Sequence, residues 1–406
     1  MKFAIISDIH YGEGEELGKI NPETRLNTRL EDIHKAFNTY VDYVTNEENG
    51  IDIAVIAGDI YKSRKPSSTQ KRLFTRALLR ILKANKKREI PRKVIVFPGN
   101  HDLQLAEDAH TISDLSEVIS IYDENLTVVD DPTHFLLGEQ DEVLLVTIPY
   151  LYRQKLNLGN NEQVVQYYKQ AIDRSLAVGA RAKVKILIGH QTAEGASLLE
   201  YKDINSFNEI VIPKEMLGQL DAAFFGHIHK YQVLNEANPL IVNQGNPVTL
   251  TFGEVEEKGF VVYDTESKRH KRVLIASTPF VKIKIDSSQS AVDATTLIVK
   301  ELTSRLSELT GSIVKIFATI KEEDLPLRTA EIKVLLQDVQ FYAGIEKTII
   351  RKERARSKEV TKFASPNAIL IAVAKAKKLS AEDAEEYLQL GMEIVAKTVV
   401  ELGNEK

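Results

Sequence analysis

The 406-residue sequence contains no cysteine. That absence excludes disulfides, thiolate-bound zinc and a cysteine nucleophile together, and it fits a reducing compartment. No stretch approaches the roughly 18 consecutive apolar residues that a membrane-spanning helix requires. The opening residues Met1 to His10 reach Asp8 before the apolar core of a secretory signal could form, so a soluble intracellular protein is expected. Excess basic charge is also missing. Lys and Arg number 53 against 58 Asp and Glu, a formal net charge of −5, which excludes a histone-like coat protein. A basic patch at one cleft is compatible with that sum, because the local field matters more than the total. Internal repeats and low-complexity segments are absent too. What is present is an ordinary globular composition, 43% hydrophobic and 27% charged, long enough for two or three domains.

The first two thirds alternate between strand and helix patterns. Short apolar runs bounded by Gly, Pro, Asn or Asp occur at Lys2–Ser7, Asp52–Ala57, Lys93–Phe97, Val143–Ile148, Val184–Ile188, Ala222–Phe225, Leu240–Val242 and Phe260–Tyr263. Several are apolar nearly throughout, as strands covered on both faces are. Between them Thr24–Val44, Ser68–Leu82 and Asn161–Leu176 place apolar residues near a period of 3.6. This predicts an α/β layered core over residues 1–270. Residues 278–350 read as a small α+β unit, with strands at Phe280–Ile285, Ile313–Ile320 and Gly344–Ile350 and helices at Ala291–Leu309 and Thr329–Leu336. Residues 351–364 are charged, mostly basic, and read as a linker. Residues 365–406 read as a helical hairpin: Pro366–Lys378, then a helix with Ser380 as N-cap and Asp383 three residues on, presenting Tyr387, Leu390, Ile394 and Val395 on one face. Docking on a partner and packing back onto the chain are both compatible with that pattern.

Five motifs lie where predicted strands end: Asp8-Ile9-His10, Gly58-Asp59, Gly99-Asn100-His101-Asp102, Gly189-His190 and Gly226-His227-Ile228-His229. In an open α/β sheet that edge is where ligands bind, so residues distant in sequence can converge there. Asp supplies hard charged oxygen and can bridge two ions, imidazole suits first-row divalent metals, and Asn adds a neutral oxygen. In extended chain, residues i and i+2 face the same side, so Asp8 with His10, and His227 with His229, can address one region. The glycines allow sharp turns at the strand ends. Of nine histidines, five fall in these motifs, which argues against unrelated turns and caps.

In this order the motifs resemble those of the calcineurin-like metallophosphoesterase superfamily, and more narrowly those of SbcD-type nucleases, the nuclease subunits of double-strand-break processing complexes. The run from Ile60 to Ser67, IYKSRKPS, is similar to that family's aromatic-to-Pro-Ser loop. Gln244–Glu254 followed by Lys258-Gly259-Phe260 is similar to the segment closing its catalytic domain. These motifs span about residues 1–265; beyond them the likeness is one of layout. The resemblance implies a sandwich of mixed sheets flanked by helices, with a small α+β cap and a C-terminal helical hairpin. It implies that Asp8, His10, Asp59 and His229 hold one ion, that Asp59, Asn100, His190 and His227 hold the other, and that His101 is catalytic without being a ligand. The implied cofactors are two Mn2+, or Mg2+ or other divalent ions.

The implied activity is two-metal hydrolysis of DNA phosphodiesters, as a double-strand exonuclease and single-strand endonuclease in repair, recombination or replication. His101, as imidazolium, would stabilise charge on the non-bridging oxygens or protonate the leaving 3′-oxygen. The implied partners are DNA, an SMC-like coiled-coil ATPase of SbcC type binding the terminal helices, and a second copy in a homodimer, with no membrane. The implied location is the cytoplasm or nucleoid, of a cell or of the host of a virus. One position departs from some family members, which carry a histidine three residues after the bridging aspartate; here it is Lys62. Lys62, Arg64 and Lys65 are candidate substrate contacts, although Lys62 cannot titrate near neutrality as histidine does. Lys71 and Arg72, and the run Lys86–Arg88, can grip a backbone or simply face solvent. Asp102 either orients His101 or caps a turn. His34 falls on a helix, His110 in a polar stretch, and His134 and His270 in loops; all four read as surface or capping residues. Two other readings remain: a small-substrate phosphoesterase of the same superfamily, such as a nucleotide phosphodiesterase or phosphatase, and a non-catalytic scaffold.

Overall fold

The structure, a computed structural model of the full chain, describes residues 1–103, 123–153, 156–197, 209–351, 365–377 and 379–403. Most of the expected linker, His110 and Lys378 therefore lie outside the described residues. The strands are β1 Lys2–Ile6, β2 Ile53–Ala57, β3 Lys93–Phe97, β4 Leu126–Val128, β5 Thr133–Leu137, β6 Val143–Ile148, β7 Val184–Gly189, β8 Thr192–Ala193, β9 Val211–Ile212, β10 Ala222–Phe225, β11 Gln232–Asn235, β12 Leu240–Asn243, β13 Lys258–Asp264, β14 Arg269–Ile275, β15 Phe280–Asp286, β16 Ile313–Lys321 and β17 Phe341–Ile350. The principal helices are α1 Thr28–Thr45, α2 Ser68–Asn85, α3 Asn161–Val178, α4 Ala294–Ser304, α5 Thr329–Leu335, α6 Pro366–Ala376 and α7 Ala381–Gly403.

Two six-stranded mixed sheets stack face to face, in the orders β14-β13-β1-β2-β3-β4 and β11-β12-β10-β7-β6-β5. Alternation along each strand explains the layers. Phe3 and Ile5 of β1, with Val55 of β2 and Phe97 of β3, meet Leu145, Ile188, Phe224 and Val242 of the second sheet in a core between the sheets. Ala4, Ile6 and Ile56 point the other way, onto α1 and α2 through Ile33, Phe37 and Phe74. On the far side Leu144, Val146 and Leu187 pack on Val164, Tyr168 and Ile172 of α3. Each such fully buried side chain contributes roughly 1.5–3 kcal/mol, which is why these strands read as unbroken apolar runs.

Strands β1 to β4 are mutually parallel, as are β6, β7, β10 and β12. The ends of β1, β2 and β3 therefore open on one edge, and those of β7 and β10 on one edge of the second sheet. Helix α1 begins at Thr28 rather than Thr24 because Asn27 is its cap, its side chain accepting from the Arg29 amide. Helix α2 starts as expected, with a reciprocal cap between Ser67 and Gln70. Strands β4, β5, β11 and β14 have weaker apolar patterns, which periodicity alone does not pick out. Two of them correct the expectation for a pair of histidines, since His134 lies in β5 and His270 in β14 rather than in loops.

The chain divides into two compact units. One comprises Met1–Lys284, Ile298–Phe317 and Thr329–Glu346; the other comprises Ile285–Leu297, Ala318–Arg328 and Lys347–Lys406. A three-stranded sheet has the order β15-β16-β17. In the second unit Asp293 caps α4, accepting from the Thr296 amide at 3.1 Å and from Arg328 Nη1 at 3.1 Å. Ser380 caps α7, accepting from the Asp383 amide at 3.2 Å. Helices α6 and α7 approach closely where Gly391 meets Leu370; an added Cβ would lie 2.7 Å from a Leu370 methyl. Among the described residues, no helix is long and apolar enough to cross a membrane.

Candidate metal centre

The five strand ends converge. Asp8 and His10 follow β1, Asp59 follows β2, Asn100 and His101 follow β3, His190 follows β7, and His227 and His229 follow β10. Their ligand atoms form three overlapping groups, each within 4.8 Å: Asp8, His10 and His229; His10, Asp59 and His101; Asp59, His190 and His227. Asp59 stands between the sides, with Oδ2 3.5 Å from His10 Nε2 and Oδ1 3.3 Å from His190 Nε2. Asn100 joins through Oδ1, 2.9 Å from His227 Nδ1.

The backbone is bent to achieve this. Among the described residues eight non-glycine positions have positive φ, and four of them are Asp8, His10, Asp59 and His227. Such torsions cost on the order of 1–3 kcal/mol each and persist where surrounding structure over-determines them. Gly58 does take a positive φ of 86°. At Gly99 the requirement is room: an added Cβ would lie 2.1 Å from Asp59 Oδ1 and 2.6 Å from His190 Nε2.

The outer nitrogens reveal what the inner ones face. His190 Nδ1 donates to the Ala57 carbonyl at 2.7 Å, so its buried Nε2 turns a lone pair toward the Asp59 carboxylate. His227 Nε2 lies 2.9 Å from Glu209 Oε2, which leaves Nδ1 to face Asn100 Oδ1. His229 Nδ1 faces Glu254 at 3.7 Å, and its Nε2 sits 3.0 Å from His10 Nε2. Acceptors thus point at acceptors on both sides of Asp59. A proton or a cation must lie among them, and two imidazoles on one ion at about 2.1 Å each, at right angles, would be about 3 Å apart. The donor set fits a pair of divalent ions.

The electrostatics agree. Burial alone would lower His190, but Asp59 and Asp8 outweigh it and lift it to about 9. Burial alone would raise Asp59, but His190 and His10 hold it far below the ordinary carboxylate range. Burial drives His10 well down, its histidine neighbours adding to the effect against Asp59. For Glu254, burial is outweighed by His229 and by the Lys258 ammonium 2.6 Å away, which hold it at about 2. A site that keeps a proton among carboxylates is one where a cation can replace it.

His101 borders this cluster, its ring centroid 4.9 Å from that of His10. Its amide donates to Asp59 Oδ1 at 2.9 Å, and Nδ1 donates to the Lys62 carbonyl at 2.8 Å. Asp102 is not what orients that ring. It accepts from the amides of Gly99, Ile60 and Tyr61 at 3.0 to 3.1 Å, so of the two expected roles the turn-capping one is observed. Burial and the Asp59 charge push Asp102 up to about 7.

A cleft of about 560 Å³ opens beside His101, lined also by Asn100, Tyr152 and the loop Lys62 to Lys65. Lys62 turns to Glu13 and Glu16, at 3.3 and 3.7 Å. Arg64 donates to the Tyr152 hydroxyl at 2.8 Å, and Tyr152 donates to the Asn100 carbonyl at 2.7 Å. Lys65 lines the cleft. Arg88 is drawn away to Glu47 and Asp52. His34, His134 and His270 lie outside the cluster and contact Tyr11, Ser175 and Tyr231. Sequence reasoning missed Glu209 altogether and gave Glu254 no role. Neither carries a motif of its own, since each meets its histidine only through the fold.

Comparison with known proteins follows the same line. The pattern of the calcineurin-like phosphoesterase family matches residues 1–231. The chain is similar to the SbcD component of nuclease SbcCD from Escherichia coli (strain K12), 24% identical over 247 residues, covering 56% of this chain and 58% of that protein. That match spans less than two thirds of the relative's own length. The chain is also similar to the SbcD component of nuclease SbcCD from Bacillus subtilis (strain 168), 24% identical over 299 residues, covering 68% of this chain and 72% of that protein. Among solved structures, an archaeal phosphodiesterase aligns with 12% identity and a TM-score of 0.31 over 68% of this chain and all of its own.

Proposed function

The chain belongs to the calcineurin-like phosphoesterase family, a class of metal-dependent phosphoester hydrolases, and on that premise we propose that it is a DNA nuclease. The observation that carries this reading is the run of three overlapping ligand groups, two of them containing Asp59, at the rim of a cleft whose loop supplies Lys62, Arg64 and Lys65. The relatives named as SbcCD nuclease components support the choice of DNA. In this reading Asp8, His10, Asp59 and His229 hold one divalent ion and Asp59, Asn100, His190 and His227 the other, Mn2+ foremost and Mg2+ or another ion in its place. When bound, such a pair neutralises charge on the phosphoryl oxygens and acidifies the attacking water. The rest falls to the chain. Lys62 fixes the His101 ring through its carbonyl, which Nδ1–H meets, so that in the imidazolium form the ring's other nitrogen, Nε2, can give its proton to the leaving 3′-oxygen and leave the ring neutral. Tyr152 holds Arg64 beside Asn100, where a guanidinium can meet a phosphate.

The activity proposed is double-strand exonuclease and single-strand endonuclease cleavage, in the cytoplasm or at the nucleoid, for repair, recombination or replication. Residues 1–270 would form the nuclease domain, 278–350 a cap and 351–364 a linker. Residues 365–406 would form the hairpin that meets an SMC-like ATPase, within a homodimeric assembly. The exposed Ile371, Leu390, Met392 and Ile394 support the partner.

The test is Mn2+-dependent cleavage of end-labelled linear duplex DNA beside His101→Ala and a phosphomonoester. Duplex degradation that the variant loses, with the monoester untouched, is expected. Turnover of the monoester alone would replace the nuclease with a small-substrate phosphoesterase.

A further inference from the structure

We propose that Glu209 is a positioning residue that creates the ion site on the Asn100 side, by holding His227 with Nδ1 turned inward. The two sides of the centre are unequal in charge. Asp8 and Asp59 give the first side two carboxylates, whereas the second shares Asp59 and completes its set with the neutral Asn100. Glu209 supplies the missing negative charge through the imidazole. Its Oε2 lies 2.9 Å from His227 Nε2, and both side chains are largely enclosed, at 20% and 13% exposure. Among the four candidate ligand histidines, His227 has a carboxylate within hydrogen-bond distance of its outer nitrogen. His190 uses a carbonyl, His229 stands 3.7 Å from Glu254, and His10 Nδ1 is buried without a partner. A carboxylate there fixes the tautomer and raises the basicity of the inward nitrogen.

The fold brings Glu209 to this place by a device otherwise without purpose in the site. The two-stranded ribbon pairs β8 with β9 in parallel, Thr192 with Val211 and Ala193 with Ile212. Two residues before the paired Thr192 and Val211, just ahead of the strands, stand His190 and Glu209. The register of the ribbon thus sets Glu209 level with a ligand of the same ion.

The inference rests on the metal-centre reading above, and its test reads binding rather than turnover. Mn2+ binding by equilibrium dialysis is compared for the full-length wild type, Glu209→Ala and Glu209→Gln. The tautomer of His227 is read from 15N shifts of the metal-free, histidine-labelled proteins. Glu209→Ala should bind its first ion as the wild type does and its second about 10–100-fold more weakly, with the Nε2–H tautomer lost. Glu209→Gln, isosteric and still able to accept from Nε2–H, should keep the tautomer and lie closer to the wild type than Glu209→Ala does. Unchanged second-ion affinity in Glu209→Ala would overturn the proposal, as would equal weakening of both ions, or a glutamine variant no better than alanine. A wild type that binds fewer than two ions would overturn both the proposal and the reading beneath it.

Discussion

The strand ends of the sandwich and the terminal helices break the usual partition of residues in opposite directions. At the strand ends charge is buried: Asp8, Asp59 and His190 are at most 2% exposed. On α7 apolar surface is bare, with Leu390 56% and Ile394 60% exposed. Burying ionised groups costs several kcal/mol unless they are compensated, and contiguous exposed apolar surface marks an interaction site. The first region fits a cation, and the second is the face on which the proposed function seats its partner.

The sharpest way to test the first half is to separate ion binding from chemistry. His101→Ala should lower DNA turnover by about 10²–10⁴-fold while two ions still bind. Loss of an ion in that variant would place His101 among the ligands. Next in size, metal should stabilise the fold: at 100 times Kd each site adds about 2.7 kcal/mol, seen as a higher Tm that chelator abolishes. Asp59→Asn should lose that response from both sites at once, and retention of it would deny the bridging role.

The second half predicts a small effect. Leu390→Glu with Ile394→Glu should change stability by no more than about 0.5 kcal/mol per site, because more than half of each side chain is exposed, while capture of the proposed ATPase partner in a pull-down is lost. A large drop in Tm would show that the face is packed after all. Smallest is the control offered by Asp293, an exposed carboxylate with ordinary partners. The Thr296 hydroxyl and amide hold it at about 2, below its ordinary 3.8. Its support of α4 is therefore complete above about pH 4 and fades as pH falls through about 2, and Asp293→Asn should remove that part of an acid-unfolding curve.

What could be read from the sequence follows the same division. The central strands were legible because both faces are covered, so that every residue of β2 and β6 is buried. The candidate ligands were legible because each follows such a strand. Strand β14, Arg269–Ile275, passed for a domain boundary because an edge strand keeps charged residues on its open face. Glu209 was invisible for another reason. Its meaning comes from the β8–β9 register, a contact between segments that nothing local encodes. Asp102 was seen but given two roles, since sequence adjacency to His101 suggested a partnership that the folded backbone does not use.

Asp102 has a consequence for how the sequence can vary. Its carboxylate fastens the turn after β2 to the turn after β3 at three amides. The chain between them, α2 included, is thereby a closed excursion that leaves and returns to one knot. Its exposed turns can change in length, and Asp59 and His101 keep their separation as long as the knot holds, while β3, the core face of α2 and the Lys62 carbonyl are fixed by contacts of their own.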